Sequence, residues 1–193
     1  KGVFVCTSAQ DIDKALSSLY EGSLKSAAQQ VIVEECLEGR EVSYFVMLGH
    51  SQTISLGFAV DYKRAYENNQ GPNTGGMGCY TPVPWLPQNA EQIVQQKVLE
   101  PFQTQLRKDN LYYQGFLYIG LMWGVNGPKV LEFNVRLGDP EAQVLAVQDP
   151  RDWLPLIASQ IPSIASNWPN PQYQIPLSPN CTVATVLAAK GYP

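Results

Sequence analysis

Glu132 and Asn134 stand two residues apart in the stretch Val130-Leu131-Glu132-Phe133-Asn134-Val135-Arg136-Leu137-Gly138-Asp139-Pro140-Glu141. On a β-strand, positions i and i+2 share a face. A carboxylate and an amide oxygen would therefore project side by side, with Leu131 and Phe133 on the opposite face. Arg136 is expected to continue the polar face. Two hard oxygen donors beside a guanidinium suit a Mg²⁺ ion together with a phosphate or a carboxylate. The same pattern also suits a solvated strand face closed by a cross-strand ion pair, and the stretch alone leaves both open.

Three further groups bear on that choice. Residues 71–78, Gly-Pro-Asn-Thr-Gly-Gly-Met-Gly, hold four glycines in eight positions. Such a segment lets the backbone approach a ligand and aim N–H groups at it. It matches neither GxxxxGK[ST] nor GxGxxG. Just before it come Asp61, Lys63 and Arg64, a cationic pair at an expected strand end and so placed to meet an anion. Glu34-Glu35-Cys36-Leu37 reads as a strand leaving a buried sheet, and Glu41 lies beyond a Gly turn where it could reach the same crevice. A plain surface loop and a polar strand terminus are the simpler alternatives for these segments.

The elements that must position these residues follow from periodicity and turn chemistry. Residues 2–6, 31–37, 41–48, 53–60, 113–123, 129–137 and 182–189 are expected as strands. Ser8 is a candidate N-cap for a helix from residue 9, with Asp11 completing a capping box and Ile12, Leu16 and Leu19 on one apolar face. Residues 25–30 suggest a short helical turn, and 49–52 a hairpin connection. Residues 65–89 lack periodicity and are expected as a long loop, which in a compact domain is more often functional than accidental. Residues 89–106 form a helical stripe through Ile93, Val94, Lys97, Val98 and Phe102 that Pro101 must kink or interrupt. Helices are expected over 141–147, behind Pro140, and over 152–161, with a Pro/Asn-rich connector at 168–181. The strands are linked as hairpins, so the fold is expected to be α+β with a mostly antiparallel sheet, rather than a parallel βαβ sheet.

Composition excludes several classes. With 193 residues and 45% apolar content the chain can bury a sizeable core. A net charge of −4 and no basic run argue against nonspecific nucleic-acid binding. No apolar stretch is long enough to span a bilayer. The four cysteines form no CxxC pair, and the single His50 leaves neither zinc spacing nor a hydrolase triad. Such cysteines read as reduced, hence a cytoplasmic protein. The chain opens without Met and ends as though a strand should continue, so a piece of a longer protein is expected.

Together, Lys1-Gly2-Val3, residues 31–43, residues 61–80 around the Gly-rich core, and residues 131–143 resemble the ATP-grasp module of the phosphoribosylamine–glycine ligases (glycinamide ribonucleotide synthetases). The tail 186–193 is similar too, with Lys190 where Gly is usual. The resemblance runs through the chain in the family's order, and the Gly-rich segment and Glu-Phe-Asn-Val-Arg-Leu-Gly-Asp-Pro-Glu are its most specific parts. It implies the ATP-grasp fold, in three pieces. Residues 1–36 would be the C-terminal part of a lid subdomain, 37–180 the core subdomain, and 181–193 the start of a link to a further domain.

The resemblance also implies an activity: glycine is activated by ATP as an acyl phosphate, then captured by 5-phosphoribosylamine in purine biosynthesis. Carried over by position, Glu132 and Asn134 would hold Mg²⁺ or Mn²⁺. Glu35, Cys36 and Leu37 would meet adenine, Glu41 the ribose, and Lys1 the phosphate-covering loop. Lys63, Arg64 and the Gly-rich segment would bind phosphate groups or the ribosylamine, and Arg136 would face the glycine carboxylate or the acyl phosphate. Asp61, Pro72, Asn73, Thr74, Gly75, Gly76, Met77 and Asp139 would line the substrate side. The implied partners are ATP, glycine and 5-phosphoribosylamine, with no nucleic acid or membrane, in a monomer or weak dimer. Tyr62 stands where the family usually has His, and Val135 where Cys is common, which puts a role for that His in doubt. This chain alone is expected to be inactive. Another ATP-grasp carboxylate–amine ligase and a non-catalytic nucleotide-binding module are the alternatives. The Gly-rich segment speaks against the first, and the retention of Glu132, Asn134, Lys63, Arg64 and Arg136 against the second.

Overall fold

The structure, a computed structural model, describes residues 3–21, 30–49, 52–167 and 180–192. The chain divides into two units, Lys1–Glu38 and Gly39–Pro193. In the first, helix α1 (Ala9–Glu21) begins at the expected capping box. The Asp11 N–H donates to Ser8 Oγ at 3.2 Å, and the Ser8 N–H donates to Asp11 Oδ2 at 3.0 Å. The Ser8 hydroxyl holds the Asp11 carboxyl below its ordinary range, with help from Thr7. Two expectations fail here. Residues 3–6 and 31–37 are not strands, and Val3, Val5, Ile32 and Val33 are exposed. An apolar β-branched run becomes a strand only where a neighbouring strand accepts its backbone hydrogen bonds. No such ladder is recorded for these two runs among the described residues. The short turn expected at residues 25–30 lies outside the described residues except for residue 30.

The second unit is built on a sheet. Strands β1 (Arg40–Leu48) and β2 (Thr53–Tyr66) form a hairpin closed by the Gly49 N–H donating to the Gln52 carbonyl at 3.0 Å. Residues 50–51 of that connection are outside the described residues. A 3₁₀ turn (Glu67–Asn69) then leads into β3 (Gln70–Thr81), and β2 and β3 pair antiparallel. Residues 65–81 of the expected long loop thus belong to a second hairpin, while 82–89 remain irregular as expected. Glycines and a proline hide a strand from any periodicity count, yet their backbone groups still pair with β2.

Helix α2 (Ala90–Val94), a π-helical turn (Gln95–Leu99) and α3 (Glu100–Lys108) follow without a break. Pro101 falls in the first turn after the π segment, where its missing N–H is accommodated. The wider turn buries both Val98 and Leu99, and Leu99 was absent from the expected stripe. Strands β4 (Gly115–Gly124) and β5 (Gly127–Asn134) form the hairpin signalled by Asn126-Gly127. Helices α4 (Glu141–Gln148), α5 (Trp153–Ser159) and α6 (Pro162–Ala165) come next, then β6 (Thr182–Thr185), shorter than the expected 182–189. Most of the expected connector, residues 168–179, is outside the described residues.

Among the described residues the sheet has six strands in the order β5-β4-β1-β2-β3-β6, and every pairing is antiparallel. β1 is central and buried on both faces, which is why it reads as a continuous apolar run. One face carries Val42, Tyr44, Val46, Leu117, Ile119 and Leu121 against Val94, Val98 and Leu99 of the α2–α3 helix. The other carries Phe45, Met47, Leu56, Ala59 and Tyr118 against Val144, Leu145 and Leu156 of α4 and α5. Asp149, at the end of α4, is held by Arg151, whose Nε lies 2.8 Å from Oδ1, while Arg151 also donates to the Ser55 carbonyl at 2.9 Å. That buried pair ties the α4–α5 connection to β2.

Candidate active site

Glu132 and Asn134 lie on one face of β5, opposite Gly120 and Tyr118 of β4. This is the face that carries Tyr118, Phe45 and α4. A register shift between Gly120 and Leu121 places an extra residue, Leu131, in β5. The strict alternation expected for Leu131 therefore breaks, while Phe133 still faces the other side and stacks on Phe102 of α3 at 4.8 Å. Gly120 leaves room over the carboxylate stem, since a Cβ there would lie 3.2 Å from Glu132 Cγ and 3.3 Å from Tyr118 Cε1. Among the described residues no three His, Cys, Asp or Glu side chains come together as a metal cage. A carboxylate and an amide oxygen in open space fit Mg²⁺, which takes few protein ligands and completes its shell with water and substrate phosphates.

Arg136 does not continue this face. β5 ends at Asn134, and Arg136 sits in the following bend, donating to the Leu137 carbonyl at 2.9 Å. The chain leaves the ladder there to bring Gly138 over Glu141.

Across the sheet, Asp61 and Lys63 project from β2 to the same face. The Lys63 ammonium pairs with Glu41 and lies 3.6 Å from Asp61 Oδ1. Burial alone would lower the Lys63 pKa, but the carboxylates of Asp61 and Glu41 outweigh it and raise it, so the ammonium stays charged. Asp61 is pushed up, first by burial and then by Glu41, against the pull of Lys63. Arg64 and Tyr62 point to the opposite face by strand alternation. Arg64 donates to the Gly71 carbonyl at 2.8 Å, so Lys63-Arg64 is not a two-cation anion grip. Tyr62 is exposed and packs beside Tyr80, with ring centroids 6.2 Å apart. A His-to-Tyr change at 62 therefore does not touch the Asp61–Lys63 face.

The Gly-rich stretch bulges out of β3 between its pairings with Tyr62 and Arg64. Thr74 organises the bulge: its hydroxyl donates to the Lys63 carbonyl at 2.9 Å and accepts the Gly76 N–H at 3.1 Å. Pro72, Asn73 and Gly75 are exposed, and the Met77 carbonyl accepts the Val186 N–H at 2.9 Å. Gly76, at φ +144°, lies directly on the Asp139-Pro140 turn, where a Cβ would come within 2.7 Å of Pro140 Cδ and 3.0 Å of the Asp139 carbonyl oxygen. The two most specific motifs of the sequence thus dock backbone to backbone. Gly76→Ala is expected to cost about 2–4 kcal/mol, from overpacking and a disfavoured φ together. Gly75→Ala, with Tyr192 Oη at 3.9 Å as its nearest neighbour, is expected to stay within about 0.5 kcal/mol. Urea unfolding of the pair checks this, and equal losses would contradict it.

Two residues of this face escaped the sequence reading. Glu141 opens α4 and is 4% exposed. Its only sequence signal is an acid behind a helix-starting proline, which reads equally as an ordinary N-terminal carboxylate. Tyr118 is lost in an aromatic strand, yet its hydroxyl accepts from Ser43 Oγ at 3.0 Å and burial pushes its pKa up to about 12. Asp139 is exposed and accepts from Gln143 Nε2 at 2.9 Å. Glu35, Cys36 and Leu37 belong to the first unit and Glu41 to the second. Lys1 lies outside the described residues.

An antiparallel sheet flanked by helices, with an acid–amide pair on one strand and a glycine-rich strand across the same sheet, is the architecture of an ATP-grasp domain. Residues 1–142 match the family model described as phosphoribosylglycinamide synthetase, ATP-grasp (A) domain, and the chain belongs to that family. It is 41% identical over 196 residues to the phosphoribosylamine–glycine ligase of Leptospira interrogans and 37% over 194 residues to that of Phenylobacterium zucineum. Both alignments cover 100% of this chain and 45% of the relative, so the chain spans under half the length of these proteins. The crystal structure of the Thermotoga maritima phosphoribosylamine–glycine ligase superposes with a TM-score of 0.77 at 32% identity, covering 95% of this chain and 45% of that one. No helix among the described residues is long and apolar enough to cross a membrane.

Proposed function

We propose that the intact protein carrying this chain joins glycine to 5-phosphoribosylamine at the expense of ATP, giving glycinamide ribonucleotide, ADP and phosphate. The observation that supports this most is the family match over residues 1–142, which takes in both the Gly-rich strand and the Glu132–Asn134 donors. Amide formation from a free carboxylate is uphill in water, so the glycine carboxylate is first converted to glycyl phosphate. The amine nitrogen then attacks the carbonyl carbon. A C–N bond forms, the C–O bond to phosphate breaks with its electron pair leaving on phosphate, and the nitrogen gives up a proton. No side-chain nucleophile is required. Positioning and charge stabilisation supply most of the acceleration.

In this reading Glu132 and Asn134 hold Mg²⁺ or Mn²⁺. When bound, the ion neutralises phosphate charge. Lys63 and Arg136 meet the transferring phosphate and the glycine carboxylate. Arg64 acts through the Gly71 turn that it anchors. Asp61, Asp139 and the bulge from Pro72 to Met77 orient the ribosylamine. Glu35, Cys36 and Leu37 receive the adenine, and Lys1 covers the phosphates. Lys63 takes Oε1 of Glu41, and Oε2 is the atom that would take a ribose hydroxyl. The test is ADP release by the intact protein with ATP, Mg²⁺ and phosphoribosylamine, with and without glycine. Release that needs glycine, with a hydroxamate trapped by hydroxylamine, is expected. Glycine-independent hydrolysis, or preference for another acid, would defeat the assignment.

A further inference from the structure

Glu132 stands on β5, an edge strand of the sheet, and its cross-strand partner is Gly120, which has no side chain to meet it. The gap is filled from the neighbouring position. Tyr118, two residues earlier on β4, shares that face, and its ring reaches over Gly120. A Cβ on Gly120 would come 3.3 Å from Tyr118 Cε1, 3.6 Å from the Tyr118 hydroxyl oxygen and 3.2 Å from Glu132 Cγ. Ring, hydroxyl and carboxylate stem thus bound the same small gap. Two contacts fix the ring there. Phe45, its partner on β1, meets it edge-on with ring centroids 5.1 Å apart. Ser43, which pairs with Gly120 on β1 and is fully buried, donates its hydroxyl proton to the Tyr118 oxygen at 3.0 Å. Tyr118 is buried, whereas Glu132 is exposed, so a locked ring faces a carboxylate arm with a free end. An aromatic ring over a strand glycine also steadies a sheet by covering bare backbone, and Phe would serve for that. What Phe could not supply is the bond to Ser43, which sets where the ring lies.

The geometry points to Tyr118 as a positioning residue for Glu132: its ring, pinned by Ser43 and admitted by Gly120, occupies the space into which the Glu132 arm would otherwise swing. The inference rests on the proposed function, in which Glu132 and Asn134 hold Mg²⁺ or Mn²⁺. A glutamate on an exposed edge strand samples several rotamers, and that freedom is lost when the carboxylate takes a metal ion. A rigid wall beside Cγ removes part of it before the ion arrives, which strengthens binding without adding a ligand. Tyr118 is suited to this because it is registered to both donors. Asn134 is its own partner in the ladder, and Glu132 is the partner of the glycine that its ring covers.

Tyr118→Phe and Ser43→Ala in the intact protein remove the same hydrogen bond from its two ends. Each is expected to weaken the binding of Mn²⁺ alone, followed by electron paramagnetic resonance, by about tenfold. The double variant is expected to lose no more than either single one, as partners in one contact do. Gly120→Ala keeps both partners and puts a methyl group into the gap. The locked ring does not give, so the Glu132 arm does, and Mn²⁺ binding is again expected to weaken by about tenfold. A purely structural role for Tyr118 would move the thermal midpoint and leave Mn²⁺ binding as in the wild type, and that result in folded variants overturns the proposal. A second measurement does not depend on any variant folding. In wild type carrying ¹³C-labelled tyrosine, Mn²⁺ is expected to broaden the ring signals of Tyr118 well before those of Tyr44, on the opposite face of the sheet. Equal broadening of the two overturns the proposal. Mn²⁺ binding that ignores Glu132→Gln defeats the metal reading on which this inference rests. Binding that needs Glu132 but not the Tyr118–Ser43 contact defeats this inference alone.

Discussion

Glu132→Gln in the intact protein is expected to lower the Mg²⁺-dependent rate by about 100-fold and to raise the Mg²⁺ concentration needed for half-maximal activity. The variant keeps an oxygen donor at the same place and removes its negative charge. A metal that neutralises transferring phosphate is worth several kcal/mol to the transition state, and about 1.4 kcal/mol is a factor of ten in rate. Glu132 is exposed and stands opposite Gly120, so little folding energy is at stake, about 0.5 kcal/mol or less. Mn²⁺ binding followed by electron paramagnetic resonance gives a readout that does not require turnover. Weaker Mn²⁺ binding by the variant, together with the rate loss, is the expected result. Unchanged rate, Mg²⁺ dependence and Mn²⁺ binding would remove Glu132 from the metal site.

Lys63→Met carries the second large effect, on activity and on stability together. Under the proposed function Lys63 is a preorganised cation for the transferring phosphate, and its removal should lower kcat/KM by about 10²–10³-fold. The fold also loses the partner of Glu41 and Asp61. Stranding a buried charge typically costs about 3–5 kcal/mol. Lys63 is 22% exposed and Glu41 44% exposed in their side chains, so solvent screening reduces the expected loss to about 1–3 kcal/mol at neutral pH. The loss has a pH signature. Asp61 is already above its ordinary 3.8 in the folded protein, because burial outweighs the pull of Lys63. Without Lys63 it rises further. The folded variant then holds a proton that the unfolded chain releases near the ordinary value, so the penalty is absent at low pH and grows as pH rises. Urea unfolding at about pH 4.5 and about pH 8 should show the smaller gap at the lower value. A gap independent of pH would mean that Asp61 and Lys63 are not coupled.

The site was unevenly legible in the sequence. Glu132 and Asn134 could be read from an i, i+2 spacing because strand alternation is a local rule, and the structure keeps them on one face. The same rule, applied to Lys63-Arg64, separates them. Adjacent residues on a strand point apart, so only Lys63 joins Asp61 on the inner face. Arg136 reads as part of the strand because nothing local announces that β5 ends at Asn134. Its end is set by pairing across the sheet: the last pair of the ladder is Tyr118 of β4 with Asn134. The Gly-rich segment reads as a loop because glycine and proline carry no hydrophobic period. Its pairing with β2 is a matter of backbone hydrogen bonds, to which side-chain patterning is blind.

By itself, the sequence determined what its short-range rules can reach: the Ser8–Asp11 capping box, the hairpin turn at Asn126-Gly127, the apolar runs of the central strands, and the side-by-side donors Glu132 and Asn134. Only the tertiary structure decided which of these residues share a site. Lys63 lies about 70 residues before Glu132, by their numbers in the chain, and the order β5-β4-β1-β2-β3 puts both on one sheet. Burial of Glu141, the docking of Gly76 on Asp139-Pro140 and the use of the Thr74 hydroxyl inside the bulge all arise from chain segments meeting across that sheet. Such contacts depend on register, packing and the removal of water, none of which a residue's neighbours in sequence specify.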